Sequence, residues 1–303
     1  MKYTDTFLKY LQFSKPLYFK SVKKCYDENN ELFIEVAESL LEWSANFLGE
    51  AYLKTLADGY VYFLNDVNRS QIYYERNLKY KNKSYSQVYE EVYNDTLYMS
   101  LYHWGVLVTM FAWEHHLNIY EYFLNKFIRK LSDQGKFLDL GSGSGIWSLL
   151  AIKNKLNWKS TGVDISSYSV NIAQEMASVN GFSDRARFVN RDAVAHFEED
   201  GKVDAVISCF LLEHLERPED LLINAARNLK NEGYAFITAA LTAAETDHIF
   251  EFRAESELVS LAEKCGFRVI SFISEGPKSH HRNNYFLPRS MALIMRKKSN
   301  SIW

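Results

Sequence analysis

The stretch Phe137-Leu-Asp-Leu-Gly-Ser-Gly-Ser-Gly-Ile-Trp147 restricts what this chain can fold into more than any other: an apolar strand runs straight into a glycine-rich turn and then a helix. Asp139, Gly141, Gly143 and Gly145 form an Asp-x-Gly-x-Gly-x-Gly series, with Ser142 inside the turn. Glycines at that spacing let the backbone turn tightly and touch a ligand, because no Cβ stands in the way. The helix that follows points free N–H groups and its positive dipole end at the same place. Dinucleotide loops space their glycines Gly-x-Gly-x-x-Gly and seat a pyrophosphate there. Here the last two glycines are one residue apart and an acid sits in the strand. A carboxylate at Asp139 repels a pyrophosphate but attracts an ammonium, which favours a ligand with an amino-acid end.

S-adenosylmethionine is such a ligand, and the stretch resembles the glycine turn of the class I S-adenosylmethionine-dependent methyltransferases of the small-molecule type. Further motifs follow in that family's order. Trp158-Lys-Ser-Thr-Gly-Val-Asp-Ile165 reads as a second buried strand ending in an acid. Asp164 lies about twenty residues past the glycine turn, where a carboxylate can accept both ribose hydroxyl protons. The resemblance makes Ile165 the apolar residue on the adenine face. Ala186-Arg-Phe-Val-Asn-Arg-Asp192 reads as a third strand, and the resemblance gives Asp192 the adenine amino group, with Ala193 supplying backbone. Val203-Asp-Ala-Val-Ile-Ser-Cys-Phe210 is a fourth strand, followed by Glu213 and His214 where family members commonly carry Glu-His. Cys209 and Phe210, at its end, are assigned to the cofactor's wall, Cys209 as a small filler and not a nucleophile. A helix from about Pro218 and a fifth strand ending near Thr238 complete the pattern, since proline suits a first helical turn. The resemblance covers roughly residues 135–298. It implies an α/β fold, a doubly wound, seven-stranded, mostly parallel sheet with ligands at the strands' carboxyl ends.

The chain has room for two domains. Residues 1–134 are rich in tyrosine and poor in glycine and proline, with apolar positions at helical spacing in Leu32, Val36, Leu40 and Leu41 and again in Phe47, Leu48 and Tyr52. Further helices are predicted over Tyr60–Leu64, Tyr85–Tyr93 and Leu97–Leu131, with a polar break at Asn77–Ser84. This reads as an all-helical cap or lid domain lying on the strand ends of a cofactor-binding catalytic domain, residues 135–303. Such an extension could also pair with its twin in a homodimer. Leu97–Trp113 is largely apolar but falls short of the twenty or so residues that span a bilayer, so a buried helix is expected.

A net charge of −3 gives no field favouring nucleic acid or an anionic membrane. Cys25, Cys209 and Cys265 are odd in number, far apart and without metal-type spacing. With a start that lacks an apolar secretory core, they suit a reducing cytoplasm. Glu114-His115-His116 is a poor metal set, because adjacent residues on a helix diverge by about 100°. No metal is expected.

Methyl transfer is an in-line displacement in which positioning does most of the work. The candidate bases are His214, after the fourth strand, and His248, in the segment Thr242–Phe252 after the fifth, with Glu213 orienting the cofactor or a histidine. Tyr98, Tyr102, His103 and Trp104 could face a sulfonium, since aromatic faces attract cations; Tyr102 is the one assigned to catalysis. Aromatic stripes at helical spacing are also what a packed core looks like. Two other functions fit the same motifs: an enzyme that cyclises or transfers the cofactor's aminobutyl arm and releases methylthioadenosine, and a non-catalytic cofactor-binding interaction protein.

Overall fold

A computed structural model describes residues 2–93, 96–196, 202–276 and 287–299. Seven strands form one sheet: β1 Gln134–Leu140, β2 Asn157–Asp164, β3 Ala186–Asn190, β4 Val203–Ser208, β5 Leu229–Leu241, β6 Phe267–Glu275 and β7 Arg289–Lys297, in the order β3-β2-β1-β4-β5-β7-β6. β7 runs antiparallel between β5 and β6, while β1–β5 pair parallel. The inner strands are apolar almost throughout because both faces of a parallel sheet are covered. The strand order reverses between β1 and β4, so the crevice at their carboxyl ends is the place for a ligand. The doubly wound, mostly parallel architecture is the expected one.

The covering helices are α8 Ile146–Asn154, α9 Ser167–Val179, α10 Pro218–Asn228 and α11 Glu255–Lys264. Before β1 come α1 Lys2–Ser14, α2 Pro16–Glu28, α3 Asn30–Leu48, α4 Tyr52–Asn77, α5 Tyr85–Val88, α6 Thr96–Ala112 and α7 Glu114–Tyr122. The predicted Leu97–Leu131 helix is broken: Trp113 takes extended dihedrals (φ −113°, ψ 122°), so α6 packs on α4 while α7 turns to the sheet. Tertiary packing overrides local propensity here. The close crossing of α4 and α6 needs Gly105, where a Cβ would stand 2.4 Å from the Phe63 Cβ and 2.6 Å from the Gly59 carbonyl. No helix among the described residues is long and apolar enough to cross a membrane.

The sheet has two apolar faces. Leu138, Leu140, Val206 and Ile237 pack with Leu221, Leu222 of α10 and Leu258 of α11. Phe137, Trp158, Ile207 and Phe236 face a larger core that runs without a break through α8 and α9 into Phe33, Leu40, Phe111 and Phe7 of the N-terminal helices. Phe123, fully buried, sits at the junction, 5.0 Å from Phe236, 5.5 Å from Phe127 and 5.3 Å from Trp147 between ring centroids. The helical segment therefore lies partly against the flank of the sheet layer, where α3 meets α9 and the turn after it, with Trp43–Phe182 in ring contact and an Asn46–Asn180 hydrogen bond of 2.9 Å. Toward the strand ends it contributes α4, α5, α6 and the start of α7. The apolar faces of α1–α3 need a partner, and α3 finds one on the outer side of α9.

Candidate active site

The glycine turn is built as its spacing demands. Gly141, Gly143 and Gly145 have φ of 72°, 52° and 79°, values at which side chains are strained. The Gly141 and Ser142 N–H groups donate to the Val163 carbonyl at 2.9 and 3.0 Å, folding the turn onto the end of β2. A Cβ at Gly145 would lie 2.7 Å from the Phe188 ring, so this glycine serves helix–strand packing. At Gly143 a Cβ would meet no atom within 4 Å: this glycine faces open space. The buried Ser142 hydroxyl beside it has no hydrogen-bond partner among the described residues.

Asp139 is 1% exposed and accepts the Ser148 hydroxyl at 2.8 Å, which Ser160 supports at 2.9 Å. Burial pushes its carboxyl up to about 7, against the Ser148 hydrogen bond, and the nearby Asp164 charge adds to the rise. Asp164 has both oxygens oriented by backbone: Gly143 N–H donates to Oδ2 and Ser166 N–H to Oδ1, each at 2.9 Å. Burial raises its affinity for a proton too, opposed by those two donors. Ile165, next to it, is 49% exposed and offers a bare apolar face. Asp192 accepts the Val194 N–H at 3.0 Å, and the Ala193 carbonyl is already used by Asn224 at 2.7 Å. The last two assigned residues close the other side: Phe210 adopts φ 55°, donates its N–H to Thr238 Oγ1 at 2.9 Å and so ends β4 two residues early, while burial pushes the half-buried Cys209 thiol far up and keeps it protonated.

Tyr85 joins this group from the helical segment. Burial raises its hydroxyl, followed by Tyr89 and then the carboxylates of Asp192 and Asp164, so α5 comes near both aspartates. Its backbone N–H donates to Glu216 at 2.8 Å. The helix at residues 85–93 was legible in the sequence; its docking was not, because no local pattern encodes a contact with residues eighty positions away.

The aromatic candidates separate. Tyr102 stacks on Tyr98 at 5.7 Å and meets Phe63 at 5.5 Å, and both tyrosines pack with Ile249 of the segment after β5. His103 faces Ser169 at 3.1 Å and stacks on Tyr168, and burial pushes its imidazole down to about 4. Trp104 is core, 4% exposed against Phe47. Sequence reasoning weighed His115 and His116 only as a metal set and did not single out Trp113; the three cluster near the end of β4, with the His116 ring 5.1 Å from Phe210.

The histidines after β4 and β5 converge. Glu213 is fully buried; its Oε1 accepts the Ala240 N–H at 3.1 Å and its carbonyl accepts those of Ile249 and Phe250. The His214 and His248 rings are 4.9 Å apart, with His214 Nδ1 3.3 Å from Asp247 Oδ2 and His248 Nδ1 donating to the Ala243 carbonyl at 2.8 Å. Burial, reinforced by His214, holds the His248 imidazole well below its usual range and therefore neutral. The loop carrying His248 is clamped from α4 and the residues after it: Gln71 holds Thr242 and Ala244, Tyr80 holds Ala243 at 2.8 Å, Asn82 holds the Thr246 carbonyl at 2.7 Å and Asp66 its hydroxyl at 2.7 Å.

Residues 138–237 match the family model described as a methyltransferase domain. Over those residues the chain is similar to methyltransferase domains. Over 90 residues it is 32% identical to ajmaline N-methyltransferase of Rauvolfia serpentina, a stretch covering 30% of this chain and 31% of that protein. A solved structure assigned as a sarcosine dimethylglycine methyltransferase from Galdieria sulphuraria superposes with a TM-score of 0.52 at 16% identity, over 63% of this chain and 88% of that one, and shares the fold.

The methyltransferase domain's cofactor is S-adenosylmethionine, and the residues present suit it. The unpartnered Ser142 hydroxyl and the open face of Gly143 adjoin a buried carboxylate, Asp139, which an ammonium would compensate.

Proposed function

We propose that the chain transfers the methyl group of S-adenosylmethionine to a small-molecule acceptor and releases S-adenosylhomocysteine. The observation that supports this most is the convergence of Asp139, Asp164 and Asp192 with the bare Gly143 turn, under an aromatic cover contributed by residues 1–134. In this reading Asp139 meets the cofactor's ammonium, Asp164 its ribose hydroxyls, and Asp192 with Ala193 its adenine edge; Ile165 covers the adenine face, while Ser142, Cys209 and Phe210 line the remainder. When bound, the cofactor supplies the electrophilic carbon. The protein's part is to orient it and exclude water. Tyr102, Glu213, His214 and His248 lie on the acceptor side, and residues 1–134 act as its lid. The ajmaline relative, an N-methyltransferase by name, supports a small acceptor.

Incubation of the purified chain with S-adenosylmethionine, with and without a panel of small nucleophiles, is the test. S-adenosylhomocysteine that forms only with an acceptor is the expected product. Methylthioadenosine without any acceptor would replace this reading with cyclisation or arm transfer. Calorimetric binding with neither product would reduce the protein to a cofactor-binding module.

Asp164→Ala should weaken cofactor binding by about 1–3 kcal/mol, the usual loss for hydrogen bonds to a charged group. Calorimetry giving the wild-type affinity would refute the ribose assignment.

A further inference from the structure

Glu213, His214 and His248 present one carboxylate oxygen and two ring nitrogens within 4.8 Å of one another, and Glu245, Asp247 and His248 form a second such set around the same histidine. Glu213, His214, Asp247 and His248 are all buried. Five such side chains from two loops do not meet by sequence spacing; β4 and β5 end side by side and bring them together.

The tautomers are informative. The Ala243 carbonyl can only accept, so His248 Nδ1 carries the hydrogen and Nε2 the lone pair. His214 Nδ1 lies 3.3 Å from both the Asp247 carboxylate and the Asp247 carbonyl, which fixes the same tautomer. An imidazole that donates one N–H to a carbonyl or carboxylate and keeps its other nitrogen bare is how proteins orient histidine ligands to a metal. A second, independent sign is Glu213: it is 0% exposed, and its Oε2 has no hydrogen-bond partner among the described residues. A buried carboxylate oxygen left without a partner is costly unless a cation or donor meets it.

We propose that Glu213, His214 and His248, backed by Asp247 and Glu245, bind one divalent transition-metal ion. Two imidazole nitrogens with carboxylate oxygens suit zinc, iron(II), manganese(II) or cobalt(II), whereas magnesium and calcium prefer all-oxygen sets. Burial of the ligands makes this a closed, bracing site. The ion ties the turn after β4 to the loop after β5 and so sets the shape of the acceptor wall. Glu245 opens on a cleft of about 260 Å³ lined also by Asp66, Arg69, Ser70 and Lys81, which gives the ion an access route. The site rests on its own donor set and not on the methyl-transfer reading.

The test uses the full chain, stripped by chelator dialysis and titrated with Co²⁺ alone, without cofactor or acceptor. Visible d–d absorption saturating at one equivalent, reversed by Zn²⁺ and unaffected by millimolar Mg²⁺, is expected. Glu213→Gln and His248→Ala should each weaken Co²⁺ at least tenfold, and Zn²⁺ should raise the melting temperature of the wild type but not of Glu213→Gln. His115→Ala, in the neighbouring histidine pair, should bind Co²⁺ like the wild type. Absence of saturable absorption, or unchanged Co²⁺ binding in both cluster variants, overturns the proposal. Calorimetry of S-adenosylmethionine on the same metal-free protein keeps that failure separate from a failure of the cofactor assignment.

Discussion

Asp139→Asn is expected to stabilise the ligand-free protein at pH 8 while weakening its hold on S-adenosylmethionine. The Asp139 carboxyl has its usual value of 3.8 in the unfolded chain and about 7 in the fold, chiefly through burial. Between those values the native state keeps a proton that the unfolded state has released. Stability therefore falls as pH rises through that window, and the full penalty persists above it. At about 1.4 kcal/mol per unit, the penalty reaches no more than about 4 kcal/mol. Asparagine cannot ionise, and its carbonyl oxygen can still accept the Ser148 hydroxyl. Urea unfolding should then show the variant more stable at pH 8, with the gap closing toward pH 4. Loss of a charge-assisted contact to the ammonium should cost about 1.5–3 kcal/mol of cofactor affinity, roughly 10- to 150-fold. If the variant and wild type differ equally at both pH values, Asp139 is not the titrating group.

Phe123→Ala should cost about 3–5 kcal/mol, the range for emptying a buried aromatic site. The ring is fully buried and touches Phe127, Trp147 and Phe236, so its loss opens a cavity between the helical segment and the sheet. Because the two share one continuous core, far-ultraviolet dichroism and tryptophan fluorescence should report one transition, shifted together. Two resolved transitions, or a cost below about 1 kcal/mol, would mean that the helices and the sheet are stabilised separately.

The legible parts of this protein are those whose cause is local. The strand–turn–helix at residues 137–147 could be read because three glycines at positive φ and a strand acid leave few other conformations. Asp164 could be read because a fixed crossover length brings the end of β2 beside that turn. Less legible were the boundaries: β4 stops at Ser208 because Phe210 bends its backbone to reach Thr238, and the Leu97–Leu131 helix breaks at Trp113 because α6 and α7 pack on different partners. The partners that impose that break are distant in sequence, so no local pattern names them.

The loops after β4 and β5 show the same division. Glu213 and His214 stood out by motif and His248 by its chemistry, but nothing in their spacing said that the two rings lie 4.9 Å apart with two further acids beside them. Composition and pattern determined the sheet, its glycine turn and the three aspartates at strand ends, because backbone sterics and buried strands act within a few residues. Only the tertiary structure decided that α5 comes near Asp164 and Asp192, that the helical segment shares the sheet's core, and that four buried donors and the half-buried Glu245 meet beyond the ends of β4 and β5. Those outcomes depend on which distant apolar surfaces and polar groups find each other once water is excluded, and that is a property of the packed whole.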